Sequence, residues 1–320
     1  MNISYICKKT ADMKEIGFVQ LVSVGCGIDV HQNLIVASIR KSSNDDEVET
    51  REYEAYTSSL KSLREWCKSE GVTHVAMEST GVYWKPVFNV MEEYFDVILV
   101  NARHVKNVPG NKTDKKDSRW LSKLLLSGLL KGSFIPPCPI RELRDLVRYR
   151  KKVSGQIASE KNRIIKILED TNIKLSSVLS NVDGVVGTKI INDLINGATA
   201  VDKLMLHYHG KQKVSREEFR KALEGKVTEH HKLMLSFHKN SISDKERQLK
   251  ELDEAIDRAT EAYQVEIDLL QTIPGVGKSS AISIVSEIGV DMSRFPDETH
   301  LSKWSGMSPG LCETGGKKKL

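Results

Sequence analysis

The chain has 320 residues, of which 39% are hydrophobic and 28% are charged, so its composition is that of a folded protein rather than a disordered one. Five cysteines without a C-x-x-C pair argue against a disulfide framework and a zinc site, and they fit a reducing cytosol. No apolar run reaches the length of a membrane span and no signal-peptide pattern opens the chain, so we expect a cytoplasmic protein.

The net charge of +5 is unevenly distributed along the chain. From Arg103 to Lys131 there are eight Lys or Arg residues against two acids. From Arg141 to Lys166 there are nine against three. Two neighbouring basic segments favour a nucleic-acid partner over a small metabolite.

The first patterned segment predicts an antiparallel start to a sheet. Val22–Val30 reads as a buried strand, a polar turn follows, and strands are predicted again over Leu34–Ile39 and Val48–Tyr56. Asp29 lies inside the first, apolar strand, where a carboxylate is costly to bury unless it is paired or bound to a metal. The alternative is an aspartate that caps the hairpin turn.

Helices and strands then alternate. Val72–Met77 reads as a strand that ends at Glu78, and an acid at the carboxyl end of a strand is typical of a site in an α/β sheet. The alternative is an acid that complements the dipole of the next helix. Helices are predicted over Ser58–Glu70, Tyr83–Tyr94 and Asp114–Leu130, and a further strand over Phe95–Val100.

The segment Asn111–Trp120 places two carboxylates inside a basic run. Asp114 and Asp117 are three residues apart, so they share one face at the start of a helix. Two acids so close repel each other unless a cation lies between them, which favours a divalent metal. The alternative is a solvated helix start. The flanking cations, which would attract a polyanion, are Lys112, Lys115, Lys116 and Arg119.

The order of three strands followed by alternating helices and strands predicts an α/β, ribonuclease H-like domain. In that arrangement an acid on the first strand, one at the end of the fourth strand and acids on the last helix converge. The residues at those places are Asp29, Glu78, Asp114 and Asp117.

Prolines at 136, 137 and 139 predict a boundary, after which Ile140 to about Ser180 is basic and largely helical. The 181–240 region has no clear order, and its histidines fit surface positions better than a metal site. A second helix from Ser243 carries apolar residues at Leu249, Leu252, Ile256, Ala259 and Tyr263. This spacing predicts a helical hairpin or a coiled-coil seam with a second copy, and simple packing within the chain is equally compatible.

The segment Thr272–Ala281 resembles the hairpin of a helix-hairpin-helix element. The backbone N–H groups of this hairpin and the N-terminus of the following helix could hold a phosphate there, and the residues concerned are Gly275, Gly277 and Lys278. A helix is predicted over Ala281–Ile288. The alternative is a plain structural turn. The spacing is not that of a nucleotide P-loop, which requires a glycine where Gln271 stands.

These segments together resemble the DEDD transposases of the insertion-sequence one-ten class, which are RNA-guided DNA recombinases. The resemblance covers nearly the whole chain after residue 22. It rests on Gly27-Ile-Asp-Val-His31, Ala76-Met-Glu-Ser-Thr-Gly-Val-Tyr-Trp84, Asn101-Ala-Arg-His-Val-Lys106 with Lys112-Thr-Asp-Lys-Lys-Asp117, Ile273-Pro-Gly-Val-Gly277 and Trp304-Ser-Gly-Met-Ser-Pro-Gly310.

The resemblance implies a RuvC-like domain in which Asp29, Glu78, Asp114 and Asp117 hold Mg²⁺ or Mn²⁺. It also implies a coiled-coil insert and a C-terminal transposase domain with a serine nucleophile, and Thr314 stands where that serine is expected. The implied partners are DNA, a guide RNA and further copies of the chain in a dimer or tetramer, without a membrane. The implied location is a prokaryotic cell, with action at the nucleoid.

The domains expected on this basis are an extension (1–22), the RuvC-like domain (23–135), a helical coiled-coil region (140–268) and an incomplete transposase domain (269–320). Because the family continues beyond this motif, the chain is expected to be a truncated copy. Two alternatives stay open: a metal-dependent junction nuclease that uses water, and an inactive remnant that only binds nucleic acid. The residues expected to bind nucleic acid are Lys112, Lys115, Lys116, Arg119, Arg148, Lys151, Lys152, Gly275, Gly277 and Lys278.

Overall fold

The computed structural model describes residues 20–42, 47–79, 81–101, 114–209, 214–307, 312–314 and 317–319. The side chains of residues 114 and 115, and of those after 307, lie outside this description. The chain divides into two compact units between Ile135 and Pro136. Each unit is described by itself.

The first unit is an α/β arrangement in which the strands precede and then alternate with helices. Its strands are β1 (Gly25–Val30), β2 (Leu34–Arg40), β3 (Val48–Glu54), β4 (His74–Glu78) and β5 (Asp96–Val100), and its helices are α1 (Thr57–Ser69), α2 (Trp84–Met91) and α3 (Asp114–Leu126).

The described strands form one five-stranded sheet in the order β3-β2-β1-β4-β5. The β1–β2 and β2–β3 pairs are antiparallel, and the β1–β4 and β4–β5 pairs are parallel. Strand β1 is therefore central, with a hairpin on one side and crossover connections on the other. This mixed sheet fits the predicted ribonuclease H-like fold.

The two faces of the sheet carry different helices. In β1, Cys26 and Ile28 point to one face, where they pack with buried apolar side chains of α1 and α2. Gly25 and Gly27 point to the opposite face, on which α3 lies. A Cβ atom on Gly27 would stand 2.2 Å from the carbonyl oxygen of Ser118, so the helix backbone rests directly on the strand.

The second unit is helical and is built on two long helices. Its helices are α4 (Cys138–Asp170), α5 (Leu175–Val178), α6 (Val185–Ile195), α7 (Val201–Leu204), α8 (Arg216–Ala222), α9 (Glu229–Thr260), α10 (Gln264–Gln271), α11 (Lys278–Ile288) and α12 (Glu298–Trp304), and 3₁₀ turns cover Met205–His207, Glu261–Tyr263 and Met292–Arg294.

Helices α4 and α9 form an antiparallel hairpin. Polar contacts join Arg150 to Asp253, Glu160 to His238 and Asp170 to His231, so the partner number falls as the α4 number rises. An apolar cluster lies toward each end of the hairpin: one includes Ile140 and Ile256, and the other includes Leu168 and Leu235. Of the arrangements that the apolar spacing predicted, the structure shows packing within the chain; a coiled-coil contact with a second copy stays a prediction.

The histidines of the 181–240 region are not clustered as metal ligands, but several are not simple surface residues. His207, His231 and His238 are partly buried, and each contacts a carboxylate on another helix. Their role in the described structure is to join helices.

The described structure also bears on membrane-spanning helices and on the cysteines. No helix in the described ranges is long and apolar enough to cross a membrane. Cys26, Cys67 and Cys138 are free thiols, and a hydrogen bond with Cys67, together with burial, raises the pKa of Cys26. Cys26 and Cys67 are buried and behave as small apolar side chains of the core, whereas Cys138 is exposed.

Candidate active site

Asp29 is the penultimate residue of β1 and only 8% of its surface is exposed. Its Oδ2 atom lies 3.0 Å from Nε2 of His31, in the turn that follows the strand. This contact ties Asp29 to the turn, as the capping alternative expects. Alternation along β1 nevertheless keeps the carboxylate on the sheet face that α3 covers.

Glu78 is the last residue of β4, the strand that runs parallel to β1. The described pairing of these strands ends at Ile28 and Met77, and continuing the register by one residue sets Asp29 beside Glu78. Adjacent strands are about 4.8 Å apart, and paired residues of parallel strands share a face. Because Ile28 and Met77 both face the apolar core, Asp29 and Glu78 both belong to the opposite face.

The helix-dipole alternative for Glu78 is not supported by the position of the next helix. Helix α2 begins only at Trp84, and its first turn contains no acid. An acid influences a helix dipole mainly within the first turn, and Glu78 precedes that turn in the chain.

Helix α3 runs antiparallel to β1 across the same face. Gly25 approaches Leu126 near the end of the helix, whereas Gly27 approaches Ser118 near its beginning. Two residues of a strand advance about 6.6 Å and one turn of a helix about 5.4 Å, so successive turns lie over successive same-face positions of β1. The next step along the strand leads to Asp29, and the next turn leads to the start of α3.

The start of α3 carries the other two predicted acids. Asp114 is its first residue, and Asp117 is partly buried in the same turn. The strand register therefore puts Asp29 and Glu78 on the sheet face that α3 covers, and the meeting of these acids with Asp114 and Asp117 at one site stays a prediction. Among the described side chains, which do not include that of Asp114, no three His, Cys, Asp or Glu groups form a metal-binding cluster.

Sequence reasoning missed a set of buried hydroxyl groups beneath α3. Ser38, Ser118 and Ser122 are fully buried, and the Oγ atoms of Ser38 and Ser118 are 2.8 Å apart. Arg40 is only 2% exposed, and its Nε donates to the Ser122 Oγ across 3.4 Å. The available signal was the spacing of Ser118 and Ser122, which puts both on one face of the helix.

Comparison with known protein families shows to which family this chain belongs. A family model for the DEDD type, described as "Transposase", matches residues 26–173, which include all four acids. A second model, described as "Transposase IS116/IS110/IS902 family", matches residues 267–320. The chain belongs to the IS110 family of transposases. It is a DNA transposase, an enzyme of DNA recombination. A search of curated proteins found no match.

The basic residues of the transposase near α3 are only partly described. Lys112 and the side chain of Lys115 lie outside the described residues. Lys116 is exposed, and Arg119 is exposed with its Nε donating to Thr50 Oγ1 across 3.0 Å. Arg119 therefore binds within the unit as well as facing solvent.

The predicted cations of α4 divide into two kinds. Arg148 donates from Nε and Nη2 to the carboxylate of Glu287, at 2.8 and 2.7 Å, so it joins α4 to α11. Lys151 and Lys152 are exposed. Of these three residues, the two lysines are the better placed to bind a nucleic-acid backbone.

A cleft of about 620 Å³ lies between α4, α9 and α11 of the transposase. Lys151 lines it together with Arg150 and Lys278, which contact Asp253 and Asp257 respectively. The hydrogen bond from Lys278 to Asp257 raises the pKa of Lys278. The cleft is thus lined by three cations and two carboxylates.

The Thr272–Ala281 segment forms a turn before α11. Gly275 has a φ of 86°, which favours glycine, and Gly277 occupies the N-cap of the helix without a side-chain cap. Helix α11 begins at Lys278, earlier than the sequence pattern indicated. The turn is described, and its binding of phosphate stays a prediction.

Thr314 ends the short strand Cys312–Thr314 and pairs with Lys317 of the antiparallel strand Lys317–Lys319. Its side chain lies outside the described residues. The role of Thr314 as the nucleophile therefore stays a prediction.

Proposed function

We propose that this transposase cuts and rejoins DNA strands at a divalent-metal site, with target choice delegated to base pairing with a guide RNA. The observation that supports it most is the backbone geometry of the first unit, in which Asp29 and Glu78 share the sheet face that α3 covers and Asp114 and Asp117 lie in the first turn of that helix. The residues proposed to hold Mg²⁺ or Mn²⁺ are Asp29, Glu78, Asp114 and Asp117.

The chemistry of this donor set fits such a cation. Carboxylate oxygens are the hard ligands that Mg²⁺ and Mn²⁺ prefer. When bound, the metal would neutralise charge on the scissile phosphate. The chain's own residues fix the carboxylates through β1, β4 and α3.

Thr314 is the proposed nucleophile. Its Oγ1 would form a bond to phosphorus as the bond from phosphorus to one DNA oxygen breaks, leaving a phosphothreonine link to the DNA. A second strand end would reverse the step and release the hydroxyl. The Cβ methyl of threonine restricts χ1, so this attack is more crowded than that of the serine expected in the family.

Two rival functions use the same chain differently. A junction nuclease would hydrolyse DNA with water at the same metal and would form no protein–DNA bond. A remnant that only binds nucleic acid would neither cut nor join. Strand exchange by the purified 320-residue chain excludes the remnant, and a covalent adduct excludes the nuclease.

The acids are tested by Asp117→Ala, with Glu93→Ala as the matched control. Glu93 is an exposed acid of the same unit, in the turn after α2. We expect Asp117→Ala to reduce Mg²⁺-dependent DNA processing at least about 100-fold, because the metal loses a ligand. Glu93→Ala should match the wild type. Unchanged processing by Asp117→Ala in the presence of Mg²⁺ would show that the metal site is wrongly assigned.

A further inference from the structure

A continuous chain of hydrogen bonds crosses the sheet beneath the first turns of α3. Ser118 Oγ lies 2.8 Å from Ser38 Oγ, which lies 2.9 Å from Thr50 Oγ1, and Thr50 accepts from Arg119 Nε. Ser38 and Ser118 are both fully buried. We call Ser38, Thr50, Ser118 and Arg119 the hydroxyl chain.

The hydroxyl chain follows one row of the sheet. Gly27 of β1 pairs with Ser38 of β2, and Ser38 pairs with Thr50 of β3. Ser118 lies over Gly27 and immediately follows Asp117 in the helix. The hydroxyl chain is thus one row away from Asp29 and one residue away from a proposed metal ligand.

Gly25 and Gly27 allow α3 to approach the sheet but supply no directional contact. A helix on such a surface is held along its own axis only by groups that must keep specific partners. Buried hydroxyl groups do this, because a shift of the helix would leave Ser38 and Ser118 without their hydrogen bond. Metal ligands need placement within about 0.5 Å, which apolar packing alone does not ensure.

We propose that Ser38 and Ser118 are positioning residues of the transposase, which hold the first turn of α3 in register with Asp29 and Glu78. Neither serine touches the metal in this proposal. Each acts through the helix axis, so its loss alters the separation between the acids of α3 and those of the sheet. This inference rests on the proposed metal site.

The test is Ser118→Ala in the full chain, with Mn²⁺ binding measured by calorimetry in the absence of nucleic acid. We expect Mn²⁺ affinity to fall about tenfold, as for residues that orient ligands without binding the metal. Ser38→Ala approaches the same bond from the sheet side and should have the same effect. The double variant should be no weaker than either single one, because both remove one shared interaction.

Ser122→Ala is the matched control. Ser122 is as fully buried as Ser118 and lies one turn further along α3, where its Oγ donates to the carbonyl of Arg119 in the same helix. Its hydrogen bond from Arg40 is long, at 3.4 Å. We expect Ser122→Ala to lower the midpoint of thermal unfolding by about as much as Ser118→Ala does, while leaving Mn²⁺ affinity unchanged.

The outcomes separate this inference from the proposed function. If wild type binds Mn²⁺, Asp117→Ala does not, and the Ser38 and Ser118 variants bind like Ser122→Ala, the positioning role is overturned while the metal site stands. If wild type and Asp117→Ala bind Mn²⁺ equally, or neither binds it, both proposals fail together.

Discussion

Glycine 27 determines how closely α3 approaches β1. A Cβ atom there would lie 2.2 Å from the Ser118 carbonyl oxygen and 2.4 Å from the Ser122 amide nitrogen, and both contacts are with backbone. Backbone atoms cannot rotate away as a side chain can. Any larger residue must therefore displace the helix that carries Asp114 and Asp117.

The Gly27→Ala variant should show this displacement. We expect it to destabilise the first unit by about 1–3 kcal/mol, as overpacking commonly does, and to weaken Mn²⁺ binding. Thermal unfolding followed by circular dichroism measures the first effect. Gly155→Ala is the control, because this glycine is exposed within α4 and an added Cβ would meet nothing within 4 Å outside its chain neighbours and the backbone of its own helix. The change should stabilise the protein by about 0.5–1 kcal/mol. An unaltered transition in Gly27→Ala would contradict the close contact.

Thr314 makes a second prediction at this scale. Thr314→Ser removes the crowding methyl and should recombine at least as fast as wild type, whereas Thr314→Val keeps the shape without the hydroxyl and should form no covalent product. A nicked suicide DNA substrate followed by denaturing electrophoresis detects the phosphoryl-protein adduct. An adduct formed by Thr314→Val would show that another residue is the nucleophile. Ser305 and Ser308, which precede Thr314 in the sequence, would then be tested.

At the level of single residues, acids were easier to predict than hydroxyls. Asp29 interrupts an apolar strand and Glu78 ends one, so each stands out against its neighbours in the sequence. Ser38 and Thr50 occur in strands where such residues are common, and their partners on α3 are distant in the chain. Only the register of the strands shows that these hydroxyls meet.

Among the elements, the α4–α9 hairpin depends on a buried ionic contact. Glu160 is 8% exposed, and His238 Nδ1 donates to its Oε2 across 2.6 Å. Arg163, one turn further along α4, also binds the carboxylate. Burial by itself raises the pKa of Glu160, but the His238 hydrogen bond and the Arg163 charge outweigh it, and the net shift is downward.

This shift in the pKa of Glu160 makes the stability of the α4–α9 hairpin depend on pH. Because the folded-state pKa of Glu160 is lowered, its contribution to stability is present above the ordinary glutamate pKa of about 4.3 and is lost as pH falls through the folded-state value. We expect Glu160→Gln to destabilise the second unit by about 1–3 kcal/mol at pH 7, and less as the pH falls below about 4. Urea unfolding at a series of pH values measures it.

The control for that experiment is Glu254→Gln, an exposed position of α9. It should leave stability within about 0.5 kcal/mol of wild type at every pH. A constant difference between Glu160→Gln and wild type across the pH range would show that the carboxylate charge is not what stabilises the hairpin.

Element boundaries show where sequence patterns are weakest. The apolar spacing predicted the second long helix from Ser243, whereas α9 begins at Glu229. Thr228 caps it, with the His231 backbone N–H donating to its hydroxyl, and the Thr228 backbone N–H donates in turn to Nδ1 of the His231 side chain. A capping box normally has Glu or Gln at this position, so a histidine conceals the start of the helix.

For the whole molecule, the distribution of charge is the feature that bears on nucleic-acid binding. The net charge of +5 and the exposed Lys151 and Lys152 predict binding to nucleic-acid backbones without reading their sequence. Such binding releases counterions, so its affinity falls as salt rises.

The lysine pair is tested by Lys151→Gln with Lys152→Gln, using fluorescence anisotropy with a labelled DNA duplex at 50–200 mM salt. We expect weaker binding to every duplex and a slope of log affinity against log salt that is shallower by about two. Lys221→Gln is the control, because Lys221 is an exposed lysine of α8 that pairs with Glu217. An unchanged slope in the double variant would place the nucleic acid on another surface.

The order of strands and helices in the first unit was predictable because apolar runs and turn residues alternate clearly there. The strand order β3-β2-β1-β4-β5 agrees with the fold that this succession predicted. The region 181–240 could not be ordered, because α6, α7 and α8 are short and bury their apolar residues against several neighbours at once. Local periodicity is weak when burial comes from several directions.

The central position of β1 has a consequence for how the gene can vary. Its even-numbered residues build the apolar core and its odd-numbered ones lie on the face that α3 covers. One codon inserted or removed between Gly25 and Ile28 would therefore exchange the faces of the strand residues that follow it. Such a change keeps the reading frame, yet it would turn Asp29 into the core and Ile28 toward α3. Active copies of this transposase gene should therefore not differ in length within β1. Insertions and deletions should be tolerated in surface turns such as that between α1 and β4.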